Sequence, residues 1–300
     1  MIYGVDIGGT KIEIAVFDSD LNLLESWRQA TPQHSYTDFL QALSGLIANA
    51  DEKYHCSGKV GIGMPGIVNA DGEVLSANLP YANGKRVADD LELLLGRNIA
   101  IENDCRCFAL SEGSGGAGEG YSRVYGAIIG TGAAGGMCID GQLYKSAQGI
   151  AGEYGHHPLP AHLFQKYQLP IESCGCGLTG CLERYIAGPG LARIYQHHGG
   201  ECLSSVEIVA QLRQDLPIAI NSFSCYMDLL GSAFANIVMA YDPEVIVLGG
   251  GMSLVDEVVE TLPAAISQHV FNNISVPKII RARFGDASGA RGAAILGSQL

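Results

Sequence analysis

Three cysteines crowd into eight residues of this sequence, at Cys174, Cys176 and Cys181. Thiolates are soft ligands, and three of them with a fourth group complete the tetrahedral set that zinc prefers. The upstream segment GEYGHH offers His156 as the fourth group, and His157 is the less expected ligand of that pair. The C-x-C-x4-C spacing differs from the common C-x2-C knuckle, so three reduced thiols in a glycine-rich turn remain an alternative to a zinc site.

Two carboxylates accompany this candidate metal site. Glu153 lies three residues before His156, so one turn of helix would place both side chains on the same face. Glu183 lies two residues after Cys181. A metal that ties these segments together would therefore hold two carboxylates beside a histidine.

A further carboxylate follows a strand-like segment, NIAIEND, at residues 98–104. Asn103 and Asp104 stand where this strand ends, and in open α/β sheets the carboxyl ends of strands face the ligand. A carboxylate at that place can accept a proton from an attacking hydroxyl as general base, the role that we predict for Asp104. The alternative is that these residues only cap the helix that follows.

Three glycine-rich turns are suited to phosphate oxygens. The first is DIGGTK, in which successive backbone N–H groups and a hydroxyl are exposed at a hairpin tip. It lacks the spacing of a Walker A loop, and taken alone it could be only a tight hairpin. A similar tip recurs in GTGAAGG at 130–136, and LGGG follows at 248–251, which favours a phosphate site. The candidate residues are Asp6, Gly8, Gly9, Thr10, Lys11, Thr131, Gly132, Gly249, Gly250 and Gly251.

The elements that position these residues show an internal repeat. Residues 2–18 and 124–140 align without a gap, with Tyr3 matching Tyr125 and Gly4 matching Gly126. Each copy is typical of a β-hairpin with a glycine-rich tip, and two such hairpins predict two lobes of similar topology that face each other. Chance similarity between two glycine-rich hairpins is the alternative.

Strands and helices alternate along the rest of the chain, which predicts an α/β fold. Apolar spacing from Ser35 to Glu52 predicts an amphipathic helix capped by Ser35. A buried strand at 59–68, a helix from about 106, a buried helix at 226–240 and a strand from 245 follow, with a short C-terminal helix on the first lobe. The glycines at 113–120 are the best lobe boundary.

Composition excludes several function classes. The 300 residues are 47% hydrophobic and 16% charged, typical of a well-buried globular chain. A net charge of −13 argues against nucleic acid and anionic membranes as partners. The N-terminus has no basic or apolar leader region, so we expect a cytoplasmic protein whose thiols stay reduced rather than forming disulfides.

Together these motifs resemble the ROK family of sugar kinases over the whole chain. The matching segments are DIGGTK at 6–11, G-x-P-G at 63–66, END at 102–104, GTG at 130–132, E-x-x-H at 153–156, C-x-C-x4-C-x-E at 174–183, GGG at 249–251 and GD-x-S-G at 285–289. The resemblance implies a two-lobed, actin-like (ribonuclease H-like) ATPase fold that binds ATP and Mg²⁺. It also implies a structural zinc on His156, Cys174, Cys176 and Cys181. We expect lobes at 1–118 plus 286–300 and at 119–285.

The resemblance also implies the chemistry: transfer of phosphate to the 6-hydroxyl of N-acetyl-D-glucosamine, with Asp104 as base. Fructose, mannose and glucose are the alternative substrates in the family, and a homodimer is the implied assembly. The residues implied to bind the sugar are Gly66, Asn78, Asn103, Asp104, Glu153, His156 and Glu183.

Two departures from the family pattern bear on the site. Cys105-Arg106 stands where the family usually has Ala-Asn, and Ala134 where it usually has glycine. Arg106 would lower the pKa of Asp104 if it pointed into the cleft, and would do nothing on the helix surface. Ala134 is tolerable only if its φ is negative.

Competing classes are disfavoured by the same residues. A sugar-binding ROK-type regulator would carry a DNA-binding segment ahead of DIGGTK, where only five residues stand. A zinc-held interaction module would have no use for Asp104. A chaperone-like ATPase would share the phosphate loops without needing the E-x-x-H and cysteine elements.

Overall fold

The computed structural model describes all 300 residues, which divide into two compact units. The first unit comprises Met1–Glu119, Gly136–Ala151 and Arg283–Leu300. The second comprises Gly120–Gly135 and Gly152–Ala282. The lobe boundaries expected from the sequence stay a prediction.

The first unit is built on a five-stranded sheet in the order β3-β2-β1-β4-β7. Strands β1 to β3 are antiparallel neighbours, while β4 and β7 join parallel to β1. The strands are β1 Ile2–Ile7, β2 Lys11–Phe17, β3 Leu23–Ala30, β4 Lys59–Met64, β5 Ile67–Val68, β6 Val74–Leu75 and β7 Ile99–Asn103. The helices are α1 Tyr36–Tyr54, α2 Val87–Leu95 and α3 Asp104–Gly113.

Helix α1 confirms the amphipathic pattern read from the sequence. The Ser35 hydroxyl accepts the amide of Asp38 at 3.2 Å, so the predicted cap is present. Phe39, Leu43 and Ile47 are buried on one face, where they pack into the main core of the unit. That apolar face holds the helix on the first sheet.

The second sheet has the order β10-β9-β8-β11-β12. Its strands are β8 Arg123–Ile129, β9 Ala133–Ile139, β10 Gln142–Leu143, β11 Val245–Gly249 and β12 Lys278–Arg281. The helices that follow β10 are α4 Ala161–Tyr167, α5 Glu183–Ile186, α6 Gly188–His197, α7 Ser205–Leu212, α8 Pro217–Tyr241, α9 Asp256–Ser267 and α10 Ser288–Ser298.

The two sheets share one strand order, which confirms the internal repeat. Tyr3 lies beside Val60 in the parallel pair β1/β4, and Tyr125 lies beside Ile246 in the pair β8/β11. The aligned tyrosines therefore hold equivalent places, and both are fully buried. The similarity between the two hairpins reflects repeated topology and not chance.

Helix α8 is the longest element of the chain. Its 25 residues are long and apolar enough to cross a membrane by length and composition, yet 72% of its most apolar window is buried inside the protein. The sequence predicted this helix from residue 226, whereas it starts at Pro217, where proline fits the first turn. Packing against α9 and α6 gives it the environment of a core helix.

The chain returns to the first unit in α10. Ala290 and Ala294 pack against Ile2 and Ala15 of the first sheet, as the predicted C-terminal helix required. This return places the start of α10 beside the tip of the first hairpin.

Candidate active site

The residues predicted to bind substrates, nucleotide or zinc occur in both units. The first unit carries Asp6, Gly8, Gly9, Thr10, Lys11, Gly66, Asn78, Asn103 and Asp104. The second carries Thr131, Gly132, Glu153, His156, Cys174, Cys176, Cys181, Glu183, Gly249, Gly250 and Gly251.

The tip of the first hairpin has a fixed conformation. The Thr31 hydroxyl donates to the carbonyl of Gly8 at 2.8 Å, and the Thr31 amide donates to the carbonyl of Thr10 at 3.0 Å. The Gln33 side chain donates to the carbonyl of Gly9 at 2.8 Å. Three successive carbonyl oxygens are thus held by neighbouring residues, an arrangement that fits a tip whose N–H groups serve an anion.

Asn103 connects two of the predicted sugar-binding positions. Its side-chain nitrogen donates to the carbonyl of Gly66 at 2.8 Å, and its side-chain oxygen accepts the amide of Arg106 at 3.1 Å. The alternative that these residues cap the following helix is therefore confirmed for the side-chain oxygen of Asn103, which caps α3. Asn78 lies elsewhere in the same unit, beside the hairpin tip, where a Cβ on Gly9 would be 3.8 Å from its Cβ.

Asp104 is the first residue of α3 and directly follows the end of β7. Its Oδ1 accepts the amide of Cys105 at 2.8 Å, which orients the carboxylate. Burial raises the pKa of Asp104 above its ordinary value, and the hydrogen bond from Cys105 opposes that shift. A carboxylate of raised pKa at a strand end is well suited to accept a proton near neutral pH.

Asp6 lies close to the start of α10. A Cβ on Gly289 would be 3.0 Å from the carboxyl atoms of Asp6, so only glycine fits there without displacing them. Burial raises the pKa of Asp6 to about 7, and the nearby charges of Asp104 and Glu13 act in the same direction. Lys11 opposes the shift.

The raised pKa of Asp6 predicts a pH-dependent cost to stability. In the unfolded chain this carboxyl ionises near pH 4, whereas the folded protein keeps it protonated up to about pH 7. The unfolded state therefore holds fewer protons across that window, and the contribution of Asp6 to the free energy of unfolding falls as pH rises through it. We expect Asp6→Asn to raise Tm, and to raise it more at pH 8 than at pH 5.5.

Thermal unfolding without nucleotide or magnesium measures this effect. Asp20→Asn, which removes an exposed carboxylate from a neighbouring turn, controls for the loss of one negative charge. An Asp6→Asn shift in Tm that is equal at both pH values would show that ionisation of Asp6 does not strain the fold.

In the second unit, Glu183 braces the tip of the repeated hairpin. Its Oε2 accepts the amide of Ala133 at 2.9 Å, and a Cβ on Gly132 would lie 2.7 Å from that oxygen. The amide of Gly188, at the start of α6, donates to the carbonyl of Gly130 at 2.8 Å. The position of the GTG tip is thus fixed from two sides.

The glycines after β11 meet this same tip. Gly250 has φ +79°, and a Cβ there would come within 2.5 Å of the Ile129 carbonyl oxygen. The Ser253 hydroxyl donates to the Gly250 carbonyl at 2.7 Å. Two of the three glycine turns noted in the sequence therefore lie together in the second unit.

The predicted metal ligands form one cluster. The ligand atoms of His156, Cys174, Cys176 and Cys181 all lie within 4.8 Å of one another. The Sγ atoms of Cys176 and Cys181 are 3.6 Å apart, and His156 Nδ1 is 3.7 Å from Cys174 Sγ. A tetrahedral zinc site requires sulfur atoms about 3.8 Å apart and sulfur to nitrogen about 3.6 Å. The three thiols and one imidazole thus fit a zinc ion in both number and spacing.

Both predicted carboxylates lie at this cluster. Glu153 Oε2 is 3.6 Å from His156 Nε2, so the ring presents one nitrogen to the thiols and the other to a carboxylate. Glu183 Oε1 lies 3.9 Å from Cys174 Sγ. The metal cluster therefore shares Glu183 with the GTG tip. A carboxylate behind a ligating histidine is the usual means of fixing its ring.

Comparison with known proteins identifies the family. The ROK family model matches residues 2–299. This chain belongs to the ROK family. It is 51% identical over 300 residues to the N-acetylgalactosamine kinase AgaK of Shewanella sp. (strain ANA-3), covering 100% of this chain and 97% of that protein. It is 42% identical over 299 residues to the N-acetyl-D-glucosamine kinase of Pectobacterium carotovorum subsp. carotovorum, covering 99% and 98%.

A solved ROK structure confirms the fold. The ROK family glucokinase from Streptomyces griseus, in complex with glucose and AMPPNP, matches with a TM-score of 0.80 at 27% identity, covering 100% of this chain and 99% of that one. The two-lobed, actin-like α/β fold expected from the sequence is thus the fold of this ROK protein.

The two departures from the ROK pattern have different outcomes. Ala134 lies in β9 and has no positive φ, so its methyl group is tolerated as the sequence required. Arg106 takes neither of the two orientations considered from the sequence. Its side chain is buried, and its guanidinium donates to the carbonyls of Tyr144 and Ala151.

Sequence reasoning missed Glu112, which supports the start of α10. This fully buried carboxylate accepts the amides of Arg283 and Phe284 at 2.9 and 3.1 Å, and the Ser288 hydroxyl at 2.6 Å. These three partners lie more than 170 positions along the chain, so no local pattern points to them, although Glu112 also accepts the nearby Ala117 amide. Glu112 thereby helps to place the segment that packs on Asp6.

Proposed function

We propose that this protein is an ATP-dependent sugar kinase that phosphorylates the 6-hydroxyl of N-acetyl-D-glucosamine. The observation that carries the proposal is the buried Asp104 carboxylate of raised pKa at the carboxyl end of β7. It lies in a chain related over its full length to sugar kinases, among them several N-acetyl-D-glucosamine kinases.

In this proposal Asp104 acts as the general base. Its carboxylate accepts the proton of the 6-hydroxyl while that oxygen forms a bond to the γ-phosphorus of ATP. The bond from that phosphorus to the β-phosphate oxygen breaks, and ADP leaves. Catalysis of phosphoryl transfer is largely positioning and charge stabilisation, so the base needs an accurate orientation more than a large pKa shift. The Cys105 amide supports that orientation.

The proposed sugar contacts are those that the family resemblance implies. Asn103, with its amide anchored on Gly66, and Asn78 would bind sugar hydroxyls. Glu153, His156 and Glu183 would bind further ring hydroxyls. Glu183 would do so with a carboxylate that already holds the GTG tip, so this residue joins sugar binding to phosphate binding.

The glycine tips are proposed to hold the nucleotide. Backbone N–H groups of the two hairpin tips would bind phosphate oxygens, with Thr10, Lys11 and Thr131 adding side-chain donors. Asp6 and the turn Gly249–251 complete the proposed nucleotide site. Magnesium supplies charge neutralisation of the phosphates when ATP is bound.

We assign the Cys3His cluster to one structural zinc ion. Four protein ligands fill a tetrahedral set and leave no position for a reacting water, which is the pattern of structural sites. The cluster ties His156 to the turn that carries the three cysteines and so orders the segment that places Glu153 and Glu183.

N-acetyl-D-galactosamine is a second candidate substrate. It differs from N-acetyl-D-glucosamine only in the configuration at C4, and the relative at 51% identity is an N-acetylgalactosamine kinase. Because both sugars carry the same acetamido group and the same 6-hydroxyl, the proposed base serves either one. The choice between them depends on the contact made to the 4-hydroxyl.

A coupled assay of ADP release tests this function. The sugars to compare are N-acetylglucosamine, N-acetylgalactosamine, N-acetylmannosamine, glucose, mannose and fructose. We expect the highest kcat/KM with N-acetylglucosamine, or with N-acetylgalactosamine if the second candidate is right. A higher value for fructose or mannose would reject the acetamido assignment while leaving the kinase assignment in place.

We further propose that the protein is a cytoplasmic homodimer that binds neither nucleic acid nor membrane. The net charge of −13 supports the absence of polyanionic partners. Light scattering at working concentration is expected to give about twice the chain mass of 31.6 kDa. A monomeric mass would contradict the proposed assembly.

A further inference from the structure

Arg106 is a buried arginine in the first turn of α3, only 2% exposed. Its two terminal nitrogens donate to main-chain carbonyls of one segment: Nη2 to Tyr144 at 2.8 Å and Nη1 to Ala151 at 3.0 Å. These carbonyls stand at the two ends of residues 144–151, named here the 144–151 loop. One guanidinium thus holds both ends of the loop, a task for which its planar fork is suited.

Burying this charge is costly unless it is compensated. Glu102, four residues earlier in β7, provides the compensation as an ion pair: its Oε1 lies 3.0 Å from Arg106 Nε, in a geometry that makes no hydrogen bond. The guanidinium is therefore held in the interior by a carboxylate and two carbonyl groups, unlike a surface arginine whose charged end reaches the solvent. Lysine would keep the charge but could not reach both carbonyls in the same plane.

The main-chain amide of Arg106 is hydrogen-bonded to one of the predicted sugar-binding residues. The Arg106 amide donates to Asn103 Oδ1, and Asn103 donates onward to the Gly66 carbonyl. Arg106 therefore joins the 144–151 loop, which its guanidinium binds, to Asn103 and Gly66, which are linked to its main-chain amide. Displacing the guanidinium would disturb the loop at one end of this connection.

A second contact anchors the loop independently. Gly149 has φ +73° and packs on β5, where an added Cβ would lie 2.3 Å from the Val68 carbonyl oxygen. Strand β5 begins directly after Gly66. Beyond the loop, the chain passes through Gly152 to Glu153. The loop thus packs beside the segment that carries Gly66 and, along the chain, comes just before Glu153.

We propose that Arg106 is a positioning residue of the sugar site, which fixes the 144–151 loop as a wall against which the sugar binds. This inference rests on the proposed function. The loop exposes apolar surface at Tyr144, which is 47% exposed, and at Ile150, which is 58% exposed. Such surface suits the acetamido methyl group and the C–H face of an N-acetylhexosamine. Arg106 therefore controls sugar affinity, and not nucleotide affinity.

Kinetics of Arg106→Lys and Arg106→Gln test the proposal. We expect KM for the sugar to rise at least about tenfold, because displacements of the order of 1 Å in a positioning element have effects of this size. KM for ATP is expected to stay within about twofold of the native value, since the loop has no proposed contact with the nucleotide. Gly149→Ala disturbs the same loop from its other side and is expected to give the same pattern.

Arg291→Lys is the matched control. Arg291 also donates from a partly buried guanidinium to two main-chain carbonyls at the C-terminal end of α3, those of Ser111 and of Ser114, which follows the last helical residue. We expect this variant to lower Tm without raising KM for the sugar. Hydrogen exchange supplies a readout that needs no substrate: amides of the 144–151 loop should exchange faster in Arg106→Lys and not in Arg291→Lys.

The outcomes separate this inference from the proposed function. Unchanged sugar KM in an active Arg106→Lys enzyme, or a similar rise in Arg291→Lys, would overturn the positioning role. If the native protein phosphorylates no sugar, the proposed function fails, and the exchange experiment still decides whether Arg106 holds the loop. Unchanged exchange of the loop would overturn the inference in either case.

Discussion

Replacing Asp104 with asparagine is expected to lower kcat by about 10²–10⁴, the usual contribution of a general base. Asparagine preserves the size of the side chain and can still accept the Cys105 amide, but it cannot take the hydroxyl proton. Sugar affinity should change much less, because Asn103 and the second unit supply most of the proposed ring contacts. Steady-state kinetics with a saturating sugar, together with calorimetric binding of the sugar alone, measure the two quantities separately.

Asp20→Asn, the same change at an exposed carboxylate, is the control for this prediction. It removes one negative charge without touching Asp104, so kcat is expected to stay near the native value. Near-native turnover by Asp104→Asn would refute the proposed mechanism and would leave Asp104 a structural residue at the start of α3.

Loss of the metal cluster is expected to have the second large effect. We predict one equivalent of zinc per chain, and its removal in Cys181→Ser should lower Tm markedly and abolish most sugar turnover. The physical reason is that the metal binds only where folding has brought its ligands together, so its binding free energy becomes folding free energy. Main-chain bonds also close the cysteine turn, among them the Cys174 amide to the Leu178 carbonyl, and the zinc ion adds to them.

Cys202→Ser provides a matched control for the cluster, since Cys202 is an exposed thiol in the same unit and outside the metal site. It should retain zinc, Tm and activity. Metal analysis by mass spectrometry, with activity followed during exhaustive chelation, decides the matter. A metal-free protein with full activity would show that the three thiols are not a structural site.

Much of the fold could be predicted because its signals are local. The apolar spacing and Ser35 cap of α1, the buried β4 and β11 strands, and the aligned hairpins are all contained within short windows of sequence. The hairpin repeat also predicted the topology, because two equivalent strand–turn–strand units pair with equivalent neighbouring strands in their sheets. Boundaries were less accurate: α3 starts at Asp104, two residues before the predicted start, because Asn103 supplies the cap.

The parts of the site that could not be predicted depend on long-range contacts. The Glu102–Arg106 spacing could have indicated an ion pair, yet nothing local shows that the guanidinium turns inward to hold residues 144–151. The sugar-binding role of Glu183 stays a prediction, and nothing local showed that one of its oxygens accepts the Ala133 amide, 50 positions away. Such contacts follow from how strands are ordered in a sheet, which residue types alone do not encode.

The central claim is that this ROK protein transfers the γ-phosphoryl group of ATP to O6 of an N-acetylhexosamine with Asp104 as base. The most direct measurement is ³¹P and ¹H NMR of the product formed from ATP and N-acetylglucosamine, run in parallel with N-acetylgalactosamine and with Asp104→Asn protein. The account predicts a sugar 6-phosphate whose phosphorus couples to the two C6 protons, formed by the native protein and nearly absent with Asp104→Asn. Sugar binding without any phosphorylated product, or a phosphate at another hydroxyl, would contradict it.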